Sequence, residues 1–328
     1  MSRTAQGSLL GVLERLCPGG VLRNEPLARH VTFRIGGPAD ILLTPRTLWD
    51  LIAVVDYLYA HHQPFVLLGR GSNVLIADRG VRGIVLKTGR GQDGVRYADG
   101  GVTAECGVSL PFLSRASAAR GLAGLEFAAG IPGSVGGGVA MNAGAHGSAL
   151  SDVVRRVRAL TPAGEVRWAR AEMGFRYRQS RLQSEPAIAL DVELGLAPGD
   201  PRECVARLDA WLSTRSDTQP LGPPSSGCIF RNPEGDHAGR LIDAAGGKRM
   251  RVGDALVSDR HANYILNGGA ATAADVLTLI ARVRDRVRER VGVDLEPEIK
   301  VIGEFEQEGG NPDGRGGPPA AGQAAPAI

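Results

Sequence analysis

The sequence predicts an α+β protein whose strands and helices are divided between two or three domains. Apolar residues alternate with polar ones or form short runs in many segments, as in strands, and elsewhere they follow helical spacing behind cap residues. The 328 residues are too many for one ordinary core, and 43% of them are hydrophobic, which is enough to bury more than one. The 46 glycines, many in loops with motif-like spacing, indicate in addition that binding loops connect the elements.

The first part of the chain is predicted to form an N-terminal helix (1–20) and a first subdomain (21–88). Its first apolar stretch is interrupted by Glu14 and Arg15, which indicates a short amphipathic helix and not a signal peptide. Thr47 is in position to cap a helix whose apolar residues follow helical spacing. Strands are predicted at 31–35, 39–43, 65–68 and 83–87.

The second part, residues 89–200, is predicted to be a second subdomain. It opens with GRGQDG, which matches the G-x-G-x-x-G pattern of dinucleotide-binding folds. A strand-like hairpin follows this motif where a helix is needed, so we reject the Rossmann interpretation. The further predicted elements are a helix at 109–120, a short helix or turn at 148–154, a hairpin of 153–160 with 165–168, and a strand at 187–196.

The sequence pattern changes at Pro201, which predicts a domain boundary near residue 200 and a smaller α+β domain over 201–305. Its predicted elements are a helix through Val205 and Leu212, a helix at 238–245, a strand at 261–267, a long helix capped by Thr272, and a closing strand at 295–303. Residues 306–328 are too poor in apolar residues to bury a core, and we expect a disordered tail.

Composition excludes several function classes. Net charge is +3, from 38 basic and 35 acidic residues, so no global field recruits nucleic acid. No apolar run reaches the ~20 residues of a membrane span. The four cysteines show neither CxxC nor metal-ligand spacing, which predicts no metal and a reducing, cytoplasmic location: Cys17, Cys106, Cys204 and Cys228. The sequence does not define the oligomeric state, and we favour a monomer.

The most informative stretch is GIPGSVGGGVAMNAGA, residues 130–145. It holds six glycines in sixteen residues, and no charged side chain occurs from Phe127 through Ser151. Backbone N–H groups in such a concavity bind anions, phosphate above all. A tight structural turn is the plainer alternative, but an ordinary turn needs only one or two glycines.

A second loop of the same kind, GRGSN at residues 69–73, follows the predicted strand at 65–68. Its glycines admit a phosphate group, and Ser72 and Asn73 can hydrogen-bond it. Taken alone, this loop is equally compatible with a β-turn between two buried strands. The presence of a second glycine-rich loop makes the β-turn interpretation less plausible and favours phosphate binding.

Seven motifs occur in one order: TFRIGG, GRGSN, GIPGSVGG, MNAGA, FRYRQS, GCIFRNP and LEPEIK. In them, the chain from about Pro26 to Gly303 resembles the UDP-N-acetylenolpyruvoylglucosamine reductases, also called UDP-N-acetylmuramate dehydrogenases. The resemblance implies a two-part FAD-binding domain of the vanillyl-alcohol-oxidase type, followed by a smaller α+β substrate-binding domain. No long insertion separates Ser180 from the strand at 187–196, so the chain resembles the shorter, type II form. That form lacks the loop that carries a substrate-binding tyrosine in the longer form.

The resemblance also implies site residues. FRYRQS makes Arg178 the catalytic arginine, LEPEIK makes Glu298 the catalytic glutamate, and GCIFRNP places Cys228 at the proton-donor position, where many members have serine. The implied FAD contacts are Gly69, Arg70, Gly71, Ser72, Asn73, Gly130, Ile131, Pro132, Gly133, Ser134, Gly136, Gly137, Asn142, Ala143 and Gly144. The implied substrate contacts are Tyr177, Arg231, Asn232, His261 and Asn263.

The reaction implied by the resemblance is reduction of an enolpyruvyl UDP-sugar to UDP-N-acetylmuramate. NADPH is the co-substrate that reduces a tightly but non-covalently bound FAD, and the flavin then passes hydride to C3 of the enolpyruvyl group. Negative charge develops at C2 and the adjacent carboxylate, where a guanidinium stabilises it, and a general acid protonates C2. A thiol with a reference pKa of ~8.5 is mostly protonated at neutral pH and can be that acid.

Two alternatives remain open from the sequence. One is a different flavoenzyme on the same FAD domain, a sugar or alcohol oxidase that uses O₂ and needs no NADPH. The other is a non-enzymatic nucleotide-binding module, in which Arg178, Cys228 and Glu298 are incidental. A yellow protein bleached by NADPH argues against the module, and reoxidation by the enolpyruvyl sugar nucleotide without oxygen separates reductase from oxidase.

Overall fold

The computed structural model describes residues 3–98 and 100–304, so the tail predicted over 306–328 lies outside the described residues. The helices are α1 (Arg3–Leu16), α2 (Leu48–Ala60), α3 (Leu110–Ala118), α4 (Val135–Ala140), α5 (Leu150–Val153), α6 (Pro201–Thr218), α7 (Ala238–Ala244) and α8 (Ala273–Val291). Single 3₁₀ turns occur at Leu27–His30, Glu126–Gly130, Arg170–Met173 and Arg181–Gln183.

The strands are short and numerous. They are β1 (Val21–Pro26), β2 (Pro38–Leu43), β3 (Phe65–Leu68), β4 (Val74–Ile76), β5 (Val81–Lys87), β6 (Val95–Ala98), β7 (Gly101–Glu105), β8 (Leu122–Ala123), β9 (Gly144–Ala145), β10 (Ser148–Ala149), β11 (Val154–Thr161), β12 (Gly164–Ala169), β13 (Ile188–Gly195), β14 (Ala197–Pro198), β15 (Ser225–Cys228), β16 (Arg251–Val252), β17 (Ala255–Val257), β18 (Tyr264–Asn267) and β19 (Lys300–Ile302).

The first subdomain is a sheet in the order β1-β2-β5-β3, in which β2, β5 and β3 run parallel. Helix α2 makes the crossover from β2 to β3 that parallel pairing requires. It begins where the sequence predicts: the Thr47 hydroxyl accepts from the Asp50 N–H, and the Asp50 carboxylate accepts from the Thr47 N–H. These hydrogen bonds confirm the predicted helix cap. The predicted strand at 65–68 is also confirmed, as β3.

The strand predicted at 31–35 is wrong. Phe33 and Ile35 are buried, as the alternation implies, but Arg34 has a left-handed φ of 56°, which interrupts any extended strand. The Thr32 N–H donates to the Gly71 carbonyl oxygen at 2.9 Å, so this segment supports the GRGSN loop instead of joining a sheet.

The second subdomain is an antiparallel sheet in the order β12-β11-β13-β7-β6. Strand β6 directly follows GRGQDG, which confirms that this motif is not a Rossmann fingerprint. The hairpin of β11 and β12 and the strand at β13 are also confirmed. The domain boundary near residue 200 stays a prediction; just beyond it, α6 packs back on this subdomain through Cys204 and Leu208, against Ala118 and Ala129.

The third part is a sheet in the order β15-β18-β17-β16, packed against α7 and α8. Two predicted strands are shorter than expected. Strand β18 starts only at Tyr264, because the Tyr264 N–H closes a turn on the His261 carbonyl. The closing strand is confined to β19, since Pro297 and Glu298 instead contact the backbone of Ile229 and Phe230.

The three parts share one junction. Strand β19 pairs in parallel with β4 of the first part, and Phe33, Ile35 and Leu75 are buried in the core of the third part. The C-terminal part is thereby fixed beside the GRGSN loop, because β4 begins directly after Asn73. Among residues 3–98 and 100–304, no helix has both the length and the apolar character needed to cross a membrane.

Candidate active site

A cavity of about 210 Å³ lies at the junction of the three parts. Residues of both glycine loops line one side, and Arg178, Cys228 and Glu298 all line the same space. The structure therefore brings together the three predicted catalytic side chains, which are 50 and 70 residues apart in the sequence.

The two glycine loops form one continuous wall of this cavity. The Ser72 hydroxyl donates to the Pro132 carbonyl oxygen at 2.6 Å, which ties GRGSN to GIPGSVGG. The Asn73 side-chain amide donates to the Glu298 carbonyl at 3.3 Å, and the Asn73 carbonyl accepts from the Lys300 N–H at 3.0 Å. These side chains hold the loops in place, which leaves the backbone as the main donor toward a ligand.

The loop backbone fits a diphosphate. Within the described part of the chain, the N–H groups of Gly71, Ser72 and Gly133 donate to no protein acceptor. Gly71 has a left-handed φ of 66°, a conformation that a side chain opposes. A Cβ added at Gly137 would meet only the Ser134 hydroxyl oxygen, at 3.4 Å, so this face of α4 is open toward the cavity. Unpaired N–H groups around open space are the pattern of an anion site.

Three of the predicted cofactor residues do not line the 210 Å³ cavity: Gly130, Gly136 and Asn142. Gly136 packs against Cys106, so that a Cβ added at Gly136 would lie 3.0 Å from the Cβ of Cys106. Gly136 lines a separate cavity of about 20 Å³. The Asn142 amide donates to the Arg176 carbonyl and accepts from the Ser151 N–H. Asn142 thus joins the glycine stretch to the loop that carries Arg178.

Arg178 lies in a tight turn with a left-handed φ of 55°. Reciprocal backbone hydrogen bonds between Arg176 and Gln179 close the turn, and the Ser180 hydroxyl anchors it to the Ala140 carbonyl at the end of α4. A non-glycine residue in this conformation costs on the order of 1–3 kcal/mol and persists where its surroundings impose it. The turn points the guanidinium at the cavity.

Arg178 and Glu298 form an ion pair, with Arg178 Nε 2.8 Å from Glu298 Oε1 and side chains 21% and 12% exposed. The Nε–H is not aligned with that oxygen, so the contact is ionic more than a directed hydrogen bond. Nη1 of Arg178 donates to the Gly144 carbonyl oxygen at 3.2 Å. Burial raises the pKa of Glu298, and the adjacent Arg178 opposes that rise.

Cys228 is directed into the cavity by a bulge in β15. The register against β18 shifts between Ser225 and Cys228, and Gly227 takes a left-handed φ of 77° there. Of the four cysteines, Cys228 is half-buried and the other three are buried. Burial first, and the charge of Glu298 second, raise the pKa of the Cys228 thiol to about 11, against the opposing effect of Arg178.

The predicted substrate residues divide into two groups. Tyr177 is 53% exposed, and its hydroxyl oxygen accepts from the Asn232 N–H at 3.3 Å. Arg231 pairs with Glu296 at 3.0 Å. Tyr177 directly precedes Arg178, and Arg231 and Asn232 follow closely after Cys228. None of the five predicted substrate residues, His261 and Asn263 included, lines the 210 Å³ cavity.

The side chain of Asn263 is used within the third part of the fold. Its Oδ1 accepts from the Phe230 N–H at 2.9 Å, and its Nδ2 donates to the Phe230 carbonyl at 2.8 Å. Asn263 is 2% exposed, and this double contact positions the chain that follows Cys228. His261 accepts at Nδ1 from the Asn263 N–H at 3.3 Å.

Sequence reasoning missed Arg215, Gln219, Ser226 and Tyr264, all of which line the cavity. The Tyr264 hydroxyl donates to Gln219 Oε1 at 2.7 Å. The Ser226 hydroxyl is buried without a protein partner among the described residues. The sequence signal for these residues was the polar loop after α6. That this loop reaches the cavity follows only from the structure, in which α6 packs back against the second subdomain.

A larger cleft of about 1100 Å³ adjoins the first cavity and shares Arg70 and Arg215 with it. Arg34, Lys87 and Arg90 also line the cleft. Burial lowers the pKa of Lys87, and the nearby Arg70 and Arg90 lower it further. Cationic groups that disfavour one another in this way are stabilised by an anionic ligand.

Two family models match the chain. A UDP-N-acetylenolpyruvoylglucosamine reductase C-terminal domain matches residues 219–302, and an FAD binding domain matches residues 39–170. The observed α+β architecture, a two-part nucleotide-binding region followed by a smaller sheet, agrees with this pair of models.

Similar proteins cover nearly the whole chain. A UDP-N-acetylenolpyruvoylglucosamine reductase from Bacillus velezensis is 44% identical over 287 residues, which are 87% of this chain and 95% of that protein. One from Heliobacterium modesticaldum is 46% identical over 301 residues, 91% of this chain and 95% of the relative. The crystal structure of UDP-N-acetylenolpyruvylglucosamine reductase from Thermus caldophilus is 37% identical, with a TM-score of 0.75 over 86% of this chain and 98% of the other.

Proposed function

The chain belongs to the UDP-N-acetylenolpyruvoylglucosamine reductase family, and from that membership we propose how its own residues perform the reaction. It is a flavin-dependent oxidoreductase that uses FAD and NADPH to reduce UDP-N-acetylglucosamine enolpyruvate to UDP-N-acetylmuramate. The observation that carries the residue assignment is the convergence of Arg178, Cys228 and Glu298 beside both glycine loops.

FAD, when bound, supplies hydride transfer from NADPH to the enolpyruvyl double bond. The unpaired N–H groups of Gly71, Ser72 and Gly133 would hold its diphosphate without a covalent bond, and the open face of α4 at Gly137 would leave room for it. The cationic cleft that continues from this cavity favours the approach of the other phosphate-bearing ligands, NADPH and the UDP-sugar.

Arg178 stabilises the negative charge that develops at C2 and the adjacent carboxylate of the substrate. Its guanidinium is held by the strained turn and by the Gly144 carbonyl, so little reorganisation is needed when the charge appears. Glu298 fixes the other side of the guanidinium and balances its charge. Both side chains are largely buried, which strengthens their electrostatic effect on a bound substrate.

Cys228 is the general acid that protonates C2. Its raised pKa keeps the thiol protonated throughout the neutral range, as a proton donor must be before it acts. Tyr177, Arg231 and Asn232 contact the substrate beside the Arg178 turn. His261 and Asn263 contribute indirectly, because Asn263 positions the segment that follows Cys228.

Gly137→Ala tests the cofactor site. Alanine suits the helical backbone of α4 better than glycine by about 1 kcal/mol, but its methyl group would project into the cavity. We expect a folded protein that purifies with markedly less bound FAD, measured by its flavin absorbance. Gly11→Ala, the same change in α1 away from the cavity, should keep full flavin content. Full flavin content in Gly137→Ala would contradict the assignment.

We place the reaction in peptidoglycan precursor synthesis, and hence in cell wall biogenesis, cell shape and cell division. We also propose that the protein acts in the cytoplasm as a monomer, which light scattering tests. Incubation with NADPH and the enolpyruvyl substrate should give a product heavier by two hydrogen atoms, detected by mass spectrometry. Failure to form it would contradict the proposed reaction.

A further inference from the structure

Tyr264 lies directly opposite Cys228 across an antiparallel strand pair. The two residues are register partners in β18 and β15, so their side chains leave the sheet on the same face. Both side chains line the 210 Å³ cavity, and Tyr264 is 5% exposed. Phenylalanine would fill the same space equally well, so packing alone does not require the hydroxyl group that tyrosine places beside the thiol.

The Tyr264 hydroxyl has two neighbours. It donates its one hydrogen to Gln219 Oε1 at 2.7 Å. The strand register and the shared cavity place the Cys228 thiol on the same side of the sheet, and the hydroxyl lowers the pKa of that thiol, against the larger effects of burial and Glu298. While the thiol holds its proton, Gln219 is the better acceptor. Once the sulfur becomes a thiolate, it is the stronger acceptor, and rotation about one C–O bond redirects the hydroxyl hydrogen to it.

The charged groups around the sulfur make this donor useful. Glu298 disfavours a thiolate, while Arg178 and Arg215 favour it, and burial disfavours it most. Arg178 is already paired with Glu298, and this carboxylate partly neutralises the positive charge that Arg178 presents to the sulfur. Tyr264 is the neutral group of the cavity that the strand register places beside the thiol.

We propose that Tyr264 is a positioning residue for the Cys228 proton donor. The inference rests on the proposed function. As the S–H bond of Cys228 breaks and a C–H bond forms at C2 of the substrate, the electron pair stays on sulfur. The Tyr264 hydroxyl then turns from Gln219 to the thiolate and holds it until a proton from solvent restores the thiol.

Tyr264→Phe tests the inference with two readouts in the FAD-loaded protein. The first is the alkylation rate of Cys228 by iodoacetamide as a function of pH without substrate, since the other three cysteines are buried. Its profile should move to higher pH, because the thiolate loses a donor. The second is flavin reoxidation by the enolpyruvyl substrate, which should slow about 10–100-fold, the worth of a hydrogen bond to a charged group.

Two controls separate positioning from simple packing. Tyr59→Phe removes another phenol, bonded to the Pro186 carbonyl and absent from the cavity wall, and should change neither readout. Tyr264→Phe added to Cys228→Ala should slow reoxidation no further than Cys228→Ala alone, because no thiolate is left to stabilise.

An unchanged alkylation profile, or the same extra slowing in the Cys228→Ala background, would overturn the role of Tyr264 alone. Reoxidation of Cys228→Ala at the native rate would overturn the proposed donor, and the inference would fall with it. The alkylation profile distinguishes the two failures, since it reports the contact of phenol and thiol without any turnover.

Discussion

Cys228→Ala should slow reoxidation of the reduced flavin by the enolpyruvyl substrate by about 10²–10⁴-fold, the usual contribution of a positioned general acid. The thiol acts only after hydride has left the flavin. The variant should therefore still bind FAD and be bleached by NADPH at nearly the native rate. Stopped-flow absorbance measures both half-reactions separately.

Cys228→Ser is the matched variant, because it keeps a hydrogen on a heteroatom in nearly the same place. It should recover much of the rate lost in Cys228→Ala. In the native protein, the thiol donates only while protonated, so reoxidation should stay independent of this group through neutral pH and decline as pH approaches about 11. The serine variant should lack that decline, since a hydroxyl does not ionise in this range.

Two outcomes would contradict the donor role. Equal slowing of both half-reactions in Cys228→Ala would mean that the side chain acts by packing, and that its loss disturbs the whole cavity. Native reoxidation in Cys228→Ala would transfer the role to another acid, with Glu298 next, because burial raises its pKa.

Arg178→Gln should slow the same reoxidation step by about 10²–10³-fold, the typical cost of losing one donor to a developing anion. Glutamine keeps a hydrogen-bonding side chain but no charge. Loss of the guanidinium also removes the group that opposes the raised pKa of Glu298, so this carboxyl should stay protonated to a higher pH. Steady-state turnover against pH and stopped-flow reoxidation measure the two effects.

Arg178→Lys separates charge from geometry. Lysine keeps the charge but not the planar guanidinium that meets both Glu298 and the Gly144 carbonyl, so recovery should be partial. If Arg178→Gln raised only the substrate KM and left the reoxidation rate at saturation unchanged, Arg178 would bind the substrate without acting on the developing charge.

The residues that could be predicted from sequence are those carried by motifs. Arg178, Cys228 and Glu298 lie in short local patterns, and both glycine loops are recognisable by composition alone. Their convergence depends on parallel pairing of β19 with β4. That contact joins segments more than 200 residues apart, and no local pattern in a single sequence specifies it.

The residues that could not be predicted depend on register and packing. Tyr264 meets Cys228 only because a bulge shifts the register of β15 against β18. Arg215 and Gln219 reach the cavity because α6 packs back on the second subdomain. The strand predicted at 31–35 is wrong for a related reason. Phe33 and Ile35 are buried in the core of the third part, which gives the sequence the alternating apolar pattern of a strand although the backbone is not extended.

Anaerobic reoxidation of the NADPH-bleached native protein by UDP-N-acetylglucosamine enolpyruvate tests most directly whether the protein is a reductase. Oxidised flavin absorbance should return without oxygen, at a rate that saturates with substrate, and UDP-N-acetylmuramate should form in equal amount. A flavin that stayed bleached with this substrate and regained its colour only when air was admitted would identify an oxidase and exclude the reductase reaction.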